Sequence, residues 1–176
     1  MKKRELPETA LTRLEHEVDE LKKALRESVF AAEREKSAII GAPIRSRQWP
    51  DVFVLMPLKD ELRPIYKTHL TRVATGLELS IKRADDFFGT GSIMRDIWSA
   101  INAARIVVAD CTGRNPNVFY EIGLAHAIGR HTILISQSLD DVPFDLRHLR
   151  IIVYQYTPPG MEAFEIALIQ TIRESL

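Results

Sequence analysis

The stretch RIVVADCTGRNPNVFYEIGLA, residues 105–125, decides the fold of this chain. Its first part, Arg105 to Ala109, is a run of apolar, mostly β-branched residues typical of a strand buried on both faces in a parallel sheet. Its last part carries apolar residues at helical spacing, and Gly129 ends that pattern. Turn-forming residues lie between the two parts. The stretch therefore predicts a strand, a tight loop and a helix, with Glu121 in the first turns of that helix.

The same alternation of strand and helix continues on both sides of this stretch. Further strands are predicted at 51–57, 77–84, 131–136 and 150–156, helices at 58–75, 92–104 and 158–176, and a short helical turn at 143–149. Strands that alternate with helices in this way form a parallel sheet covered by helices on both faces. The sequence predicts an α/β fold of flavodoxin-like type with five parallel strands.

Composition narrows the classes of partner. The chain has 176 residues, with 24 acidic and 24 basic side chains and a formal charge of zero, which gives no electrostatic argument for nucleic acid or an anionic membrane as partner. The single Cys111 excludes an intrachain disulfide and a multi-cysteine zinc site. No apolar run is long enough for a signal peptide or a membrane span. We expect a cytoplasmic protein that uses no metal and no cofactor.

The amino-terminal residues, 1–40, predict a long helix before a linker at 41–50 and the α/β domain at 51–176. The a and d positions of a heptad repeat are occupied by Leu11, Leu14, Val18, Leu21, Leu25 and Ala32. Such a stripe is typical of a coiled coil and predicts a homo-oligomer that assembles through this helix. The alternative is an amphipathic helix that packs on its own domain.

Polar residues cluster where the predicted strands end, which is the edge where ligands bind in open α/β sheets. The candidates for binding or catalysis are Asp85, Asp86, Ser92, Asp96, Asp110, Asn115, Asn117 and Glu121. Glu121 has two interpretations: a catalytic carboxylate, or a structural acceptor of N–H bonds from its own loop. Asp110 can also cap the turn at the end of its strand. Tyr120, immediately before Glu121, is expected to pack against the protein.

Residues 51–156 resemble the nucleoside 2-deoxyribosyltransferase family, a set of flavodoxin-like N-glycosyl transferases and hydrolases. The sequence EIGLA, residues 121–125, is similar to the end of the family motif, whose Glu is the nucleophile on the anomeric carbon. Asn115 stands at the position of the family's loop Asp, and Asp96 stands about where its helix Asp does. The sequences NPNVFYE, residues 115–121, and PFDLR, residues 143–147, resemble a divergent bacterial branch related to TIR-like domains.

The resemblance implies cleavage or transfer of the N-glycosidic bond of a nucleoside or nucleotide, either a deoxynucleotide or NAD, with Glu121 acting at C1′. Breaking this bond builds positive charge on the ribose ring, and a nearby carboxylate stabilises or traps that charge. In this interpretation Asp85 or Asp86 and Asn117 hold sugar hydroxyls, Asp96 meets the base and Ser92 receives a phosphate. The alternative is a non-catalytic module that senses a nucleotide and oligomerises, because Asn115 replaces a family carboxylate and the heptad stripe favours assembly.

Overall fold

The structure is a computed structural model that describes residues 16–24, 40–44, 48–87 and 93–176. The chain divides into two compact units between Ala42 and Pro43. In the first unit, residues 16–24 form helix α1, on which Val18 and Leu21 are exposed. The other predicted heptad positions lie outside the described residues, so the coiled coil stays a prediction, as do the proposed domain bounds.

The second unit is built on a five-stranded sheet. Its strands are β1 (Val52–Leu55), β2 (Ile81–Arg83), β3 (Ile106–Asp110), β4 (Thr132–Ser136) and β5 (Ile151–Val153). Their order in the sheet is β2-β1-β3-β4-β5, and all four pairings are parallel. This confirms the predicted flavodoxin-like α/β fold. In this topology the chain order reverses between β1 and β3, which creates a crevice at the carboxyl ends of those strands.

Helices cover both faces of the sheet. They are α2 (Thr71–Gly76), α3 (Ile93–Ala103), α4 (Pro116–Ala127) and α5 (Pro158–Ser175). Alternation along β1 sends Val54 to the face where Leu70 and Phe164 pack, and Phe53 to the face where Ile101 and Ile122 pack. The three central strands, β1, β3 and β4, are therefore buried on both sides, which explains their continuous apolar runs in the sequence, whereas the edge strands β2 and β5 are partly exposed.

The segment before α2 differs from the prediction. A single helix was expected over 58–75, but the chain forms a 3₁₀ turn at Asp60–Leu62 and a π-helical segment at Ile65–Leu70 before α2 begins. Pro64 lies between these two pieces and has no backbone N–H to donate, so a regular α-helical hydrogen bond cannot form there. Among the described residues, no helix has the length and apolar character needed to cross a membrane.

Candidate functional site

A cleft of about 360 Å³ opens at the carboxyl ends of β1 and β2, beside the amino-terminal ends of α3 and α4. Its walls are formed by Val54, Leu55, Met56, Leu58, Arg83, Ala84, Ile93, Met94, Ile97, Asn115, Asn117, Val118, Tyr120 and Glu121. The cleft lies at the strand edge where ligands bind in this architecture, and its volume lies at the lower end of the range for small-molecule sites.

The loop after β3 fixes where α4 begins. Asn115 is the N-cap residue of α4, and its side-chain oxygen accepts the backbone N–H of Asn117 at 2.9 Å. Pro116 follows at the first helical position, where its missing N–H costs nothing. Gly113 has a φ of 75°, and its backbone N–H donates to Asp141 at 2.9 Å, which ties the loop to the segment after β4. The sequence therefore sets the start of α4, and with it the position of Glu121.

Glu121 lines the cleft from the second turn of α4. It lies four residues after Asn117, so the two side chains share one face of the helix. Glu121 is half-buried, and no described residue forms a hydrogen bond or ion pair with its carboxylate. Burial raises the pKa of Glu121 from its ordinary value of 4.5 to about 7. A carboxyl group with this pKa can exchange protons at neutral pH and, when ionised, can face a developing positive charge.

Arg83 is a lining residue that the sequence analysis did not single out. It ends β2 and is only 2 % exposed. Its Nε donates to Asp85 at 2.5 Å, its Nη2 also donates to Asp85, and its guanidinium lies 5.0 Å from the centre of the Tyr66 ring. Within the described residues Nη1 has no acceptor. The short β2 strand gave no signal that this cation would be buried against the cleft.

Asp85 and Asp86 hold the end of β2 in place. Asp85 is the ion-pair partner of Arg83. Asp86 accepts the Tyr66 hydroxyl, the backbone N–H of Arg83 at 2.9 Å and the Lys67 ammonium at 3.4 Å. Burial opposes ionisation of Asp86, but these hydrogen bonds and the nearby Lys67 charge lower its pKa below the ordinary value. Neither aspartate lines the cleft; Asp85 holds the guanidinium of Arg83, and Asp86 holds its backbone N–H.

Asp110 lies in the core at the end of β3 and is fully buried. Its carboxylate accepts the Tyr154 hydroxyl at 2.7 Å and the backbone N–H of Thr112 at 3.0 Å. Burial raises the pKa of Asp110, although both hydrogen bonds favour the ionised form. The group therefore joins the loop after β3 to the end of β5 rather than lining the cleft.

Of the remaining candidates, Asp96 lies in α3 but is not part of the cleft wall, and Ser92 lies outside the described residues. The structure thus brings Asn115, Asn117 and Glu121 together at one cleft. In the described part of the chain, no group of three or more His, Cys, Asp or Glu side chains is arranged to hold a metal ion.

The rim of the cleft is apolar and exposed. Ile93 is 72 % exposed and Leu58 is 64 % exposed, and both line the cleft. The expectation that Tyr120 packs against the protein is wrong, because its side chain is 51 % exposed and also lines the cleft. The helical spacing in the sequence located buried residues of α4 such as Ile122 and Ala125. It could not show that Tyr120 would border a cleft.

Comparisons with known proteins show the fold. No protein-family model matches the chain, and no curated protein matches its sequence. The TIR domain of the Toll-related receptor TRR-2 from Hydra magnipapillata is similar in structure, with a TM-score of 0.56 and 15% sequence identity over 70% of this chain and 98% of that chain. A 2-deoxyribosyltransferase from Leishmania mexicana gives a TM-score of 0.43 and 18% identity over 49% of this chain and 64% of that chain. This similarity establishes that the chain shares its architecture with the TIR domain. A sequence identity of 15% does not establish a shared activity.

Proposed function

We propose that this protein cleaves or transfers the N-glycosidic bond of a nucleoside or nucleotide, with Glu121 acting at C1′ of the sugar. One observation carries the proposal. Glu121 lines the cleft at the carboxyl edge of the sheet, burial raises its pKa to about 7, and no described residue neutralises its carboxyl group. A structural carboxylate in this position would be held by a cation or by N–H groups.

In the proposed reaction the C1′–N bond breaks, and its electron pair stays on the nitrogen of the departing base. Positive charge develops on C1′ and the ring oxygen of the sugar. The ionised carboxylate of Glu121 either stabilises this charge or forms a C1′–O bond with it. In hydrolysis, water then supplies the oxygen that ends on C1′ and the proton that the departing base takes up. In transfer, a ring nitrogen of a second base bonds to C1′ instead, and the proton from that nitrogen passes to the departing base. Both outcomes begin with the same step at Glu121.

Burial gives this carboxylate a stronger effect in the transition state than in the ground state. Without a ligand, low solvation opposes ionisation of Glu121, as its raised pKa shows. A sugar cation about 4 Å away attracts the carboxylate by about 4 kcal/mol at an effective dielectric constant of about 20. That energy corresponds to a rate factor of about 10³. Since the attraction appears only as the bond breaks, it lowers the barrier rather than strengthening substrate binding.

The other predicted residues take supporting roles in this proposal. Asn117 shares the cleft face of α4 with Glu121 and can hold a sugar hydroxyl, while Asn115 sets the position of the helix through its cap. Asp85 and Asp86 orient the end of β2 around Arg83. We keep them as positioning residues, because their carboxylates are engaged with the protein.

The test is release of free base. Purified protein is incubated at pH 8 with ribo- and deoxyribonucleosides, their 5′-monophosphates and NAD, and free base is measured by liquid chromatography. We expect release from at least one compound, and loss of that release in E121Q. Glu162 is exposed on α5, so E162Q is the matched control and keeps full activity. Full turnover by E121Q would reject the proposal.

A nucleotide-sensing module that oligomerises through its amino-terminal helix is the second candidate. It is favoured by the exposure of Val18 and Leu21 on α1, two of the predicted heptad positions. This function predicts binding of a nucleotide in the cleft with no release of base. Binding measured by calorimetry alongside the chromatographic assay separates the two functions.

A further inference from the structure

Tyr120 is an unusual residue for its helix. The apolar side chains of α4 that face the sheet are buried, as for Val118 and Ile122, whereas Tyr120 is 51 % exposed. Among the described residues, its hydroxyl has no hydrogen-bond partner and its ring has no aromatic neighbour. The fold therefore gains little from an aromatic ring at this position.

The surroundings of Tyr120 show what the ring can contact. It comes directly before Glu121, and both residues line the same cleft. Ile93 and Met94, in the first turn of α3, bring further exposed apolar side chains to the cleft, and Leu58 adds another after β1. The rim of the cleft thus carries apolar side chains from two helices and a loop, and the polar residues Asn117 and Glu121 line the same cleft. Exposed apolar side chains gathered around a cleft mark a binding surface.

We propose that Tyr120 stacks on the planar heterocyclic base of the ligand. This inference rests on the proposed function, and it names the residue that selects a base-bearing ligand over a bare sugar. A heterocyclic base presents two apolar faces, and aromatic side chains bind such faces by stacking. With the base on Tyr120, the sugar that is bonded to it reaches the neighbouring carboxyl of Glu121. A cleft of about 360 Å³ suits one small ligand better than a protein segment, which needs a longer groove.

Binding measured without turnover tests this inference. Full-length E121Q is titrated calorimetrically with the nucleosides, 5′-monophosphates and NAD of the activity panel, and ribose 5-phosphate serves as the probe without a base. The same titrations are made on E121Q that also carries Tyr120→Ala, Tyr120→Leu or Tyr120→Phe. We expect Tyr120→Ala and Tyr120→Leu to weaken binding of the base-bearing ligand about 5-fold to 150-fold, the range for loss of one stacked base, and Tyr120→Phe to keep the affinity within about twofold.

The control is Tyr156→Ala, because Tyr156 is 54 % exposed, which matches Tyr120, but lies beside a different cavity with His69 and Glu165. It should leave every affinity unchanged. The inference is overturned if Tyr120→Leu binds the base-bearing ligand as tightly as Tyr120→Phe does, or if no compound binds. It is equally overturned if Tyr120→Ala weakens the binding of ribose 5-phosphate as much as the binding of the base-bearing ligand. It is also overturned if Tyr120→Ala changes the molecular mass in light scattering, since that result would make the rim a protein interface. If Tyr120 contributes to affinity as expected but the wild-type protein releases no base, the result supports the role of Tyr120 and rejects only the catalytic role of Glu121.

Discussion

Replacing Glu121 by Gln should stabilise the folded protein above neutral pH. The substitution keeps the size of the side chain and removes the carboxyl group whose burial opposes ionisation. In the folded state the pKa of Glu121 is about 7, whereas in the unfolded chain it returns to about 4.5. Between these two values the folded state binds more protons than the unfolded state, so the free energy of unfolding falls as pH rises.

The magnitude follows from the two pKa values. Below pH 4.5 the group is protonated in both states and costs nothing. Above pH 7 the group is ionised in both states, and the free energy of unfolding of the wild type is lower by about 3 kcal/mol. This follows from the difference between the two pKa values, since each pKa unit corresponds to about 1.4 kcal/mol. The Gln side chain does not titrate, so position 121 of E121Q contributes no such decrease in the free energy of unfolding. We therefore compare the free energy of unfolding of E121Q with that of the wild type at each pH. The difference in favour of E121Q should be up to about 3 kcal/mol larger at pH 8 than at pH 4.5.

Urea unfolding followed by circular dichroism at half-unit steps from pH 4.5 to pH 8 measures this difference. Subtracting the two unfolding free energies at each pH cancels the titration of all other groups. E162Q is the matched control, because it makes the same substitution at an exposed position of α5 and should change stability by less than about 0.5 kcal/mol. A difference for E121Q that stays constant within about 0.5 kcal/mol would refute the burial argument, because among the described residues no group other than the burial itself raises this pKa.

Three further results are expected. Since the ionised form of Glu121 acts on the sugar, kcat/KM for base release should rise with pH and level off above about pH 7; a flat profile from pH 5 to pH 8 would contradict this role. Tyr154→Phe removes the hydroxyl that donates to buried Asp110 at 2.7 Å and should cost about 1–3 kcal/mol in urea unfolding, while Tyr156→Phe at an exposed position should change stability by less than about 0.5 kcal/mol. Deleting residues 1–40 should lower the molecular mass per particle in light scattering beyond the mass removed from each chain, and an unchanged oligomeric state would refute the coiled-coil prediction.

The sequence allowed the fold to be predicted because its strands are short apolar runs between helical patterns. β3 and α4 were placed closely, since an apolar β-branched run and a helical repeat lie on either side of a turn. The segment at 58–75 was predicted less well, because its apolar spacing suits a helix, whereas Pro64 divides it into pieces of different hydrogen-bond geometry. Local pattern therefore located the elements, and single residues changed their internal form.

The site was harder to predict because its contacts join distant residues. The position of Glu121 follows from a local device, the Asn115 cap, and could be inferred from the loop sequence. Asp110 is held by Tyr154, 44 residues further along the chain, so its burial depends on how β3 and β5 are arranged. Tyr120 and Arg83 line the same cleft although they lie far apart in the chain, and neither has a local motif.

The central claim is that the Glu121 carboxylate acts directly on the sugar carbon. Single-turnover release of free base, with protein in excess over a bound nucleotide at pH 8, tests this most directly because it excludes product release from the measured rate. E121Q should bind that nucleotide within about threefold of the wild type and release base at least about 10² times more slowly. An equal single-turnover rate in E121Q and the wild type would contradict the account.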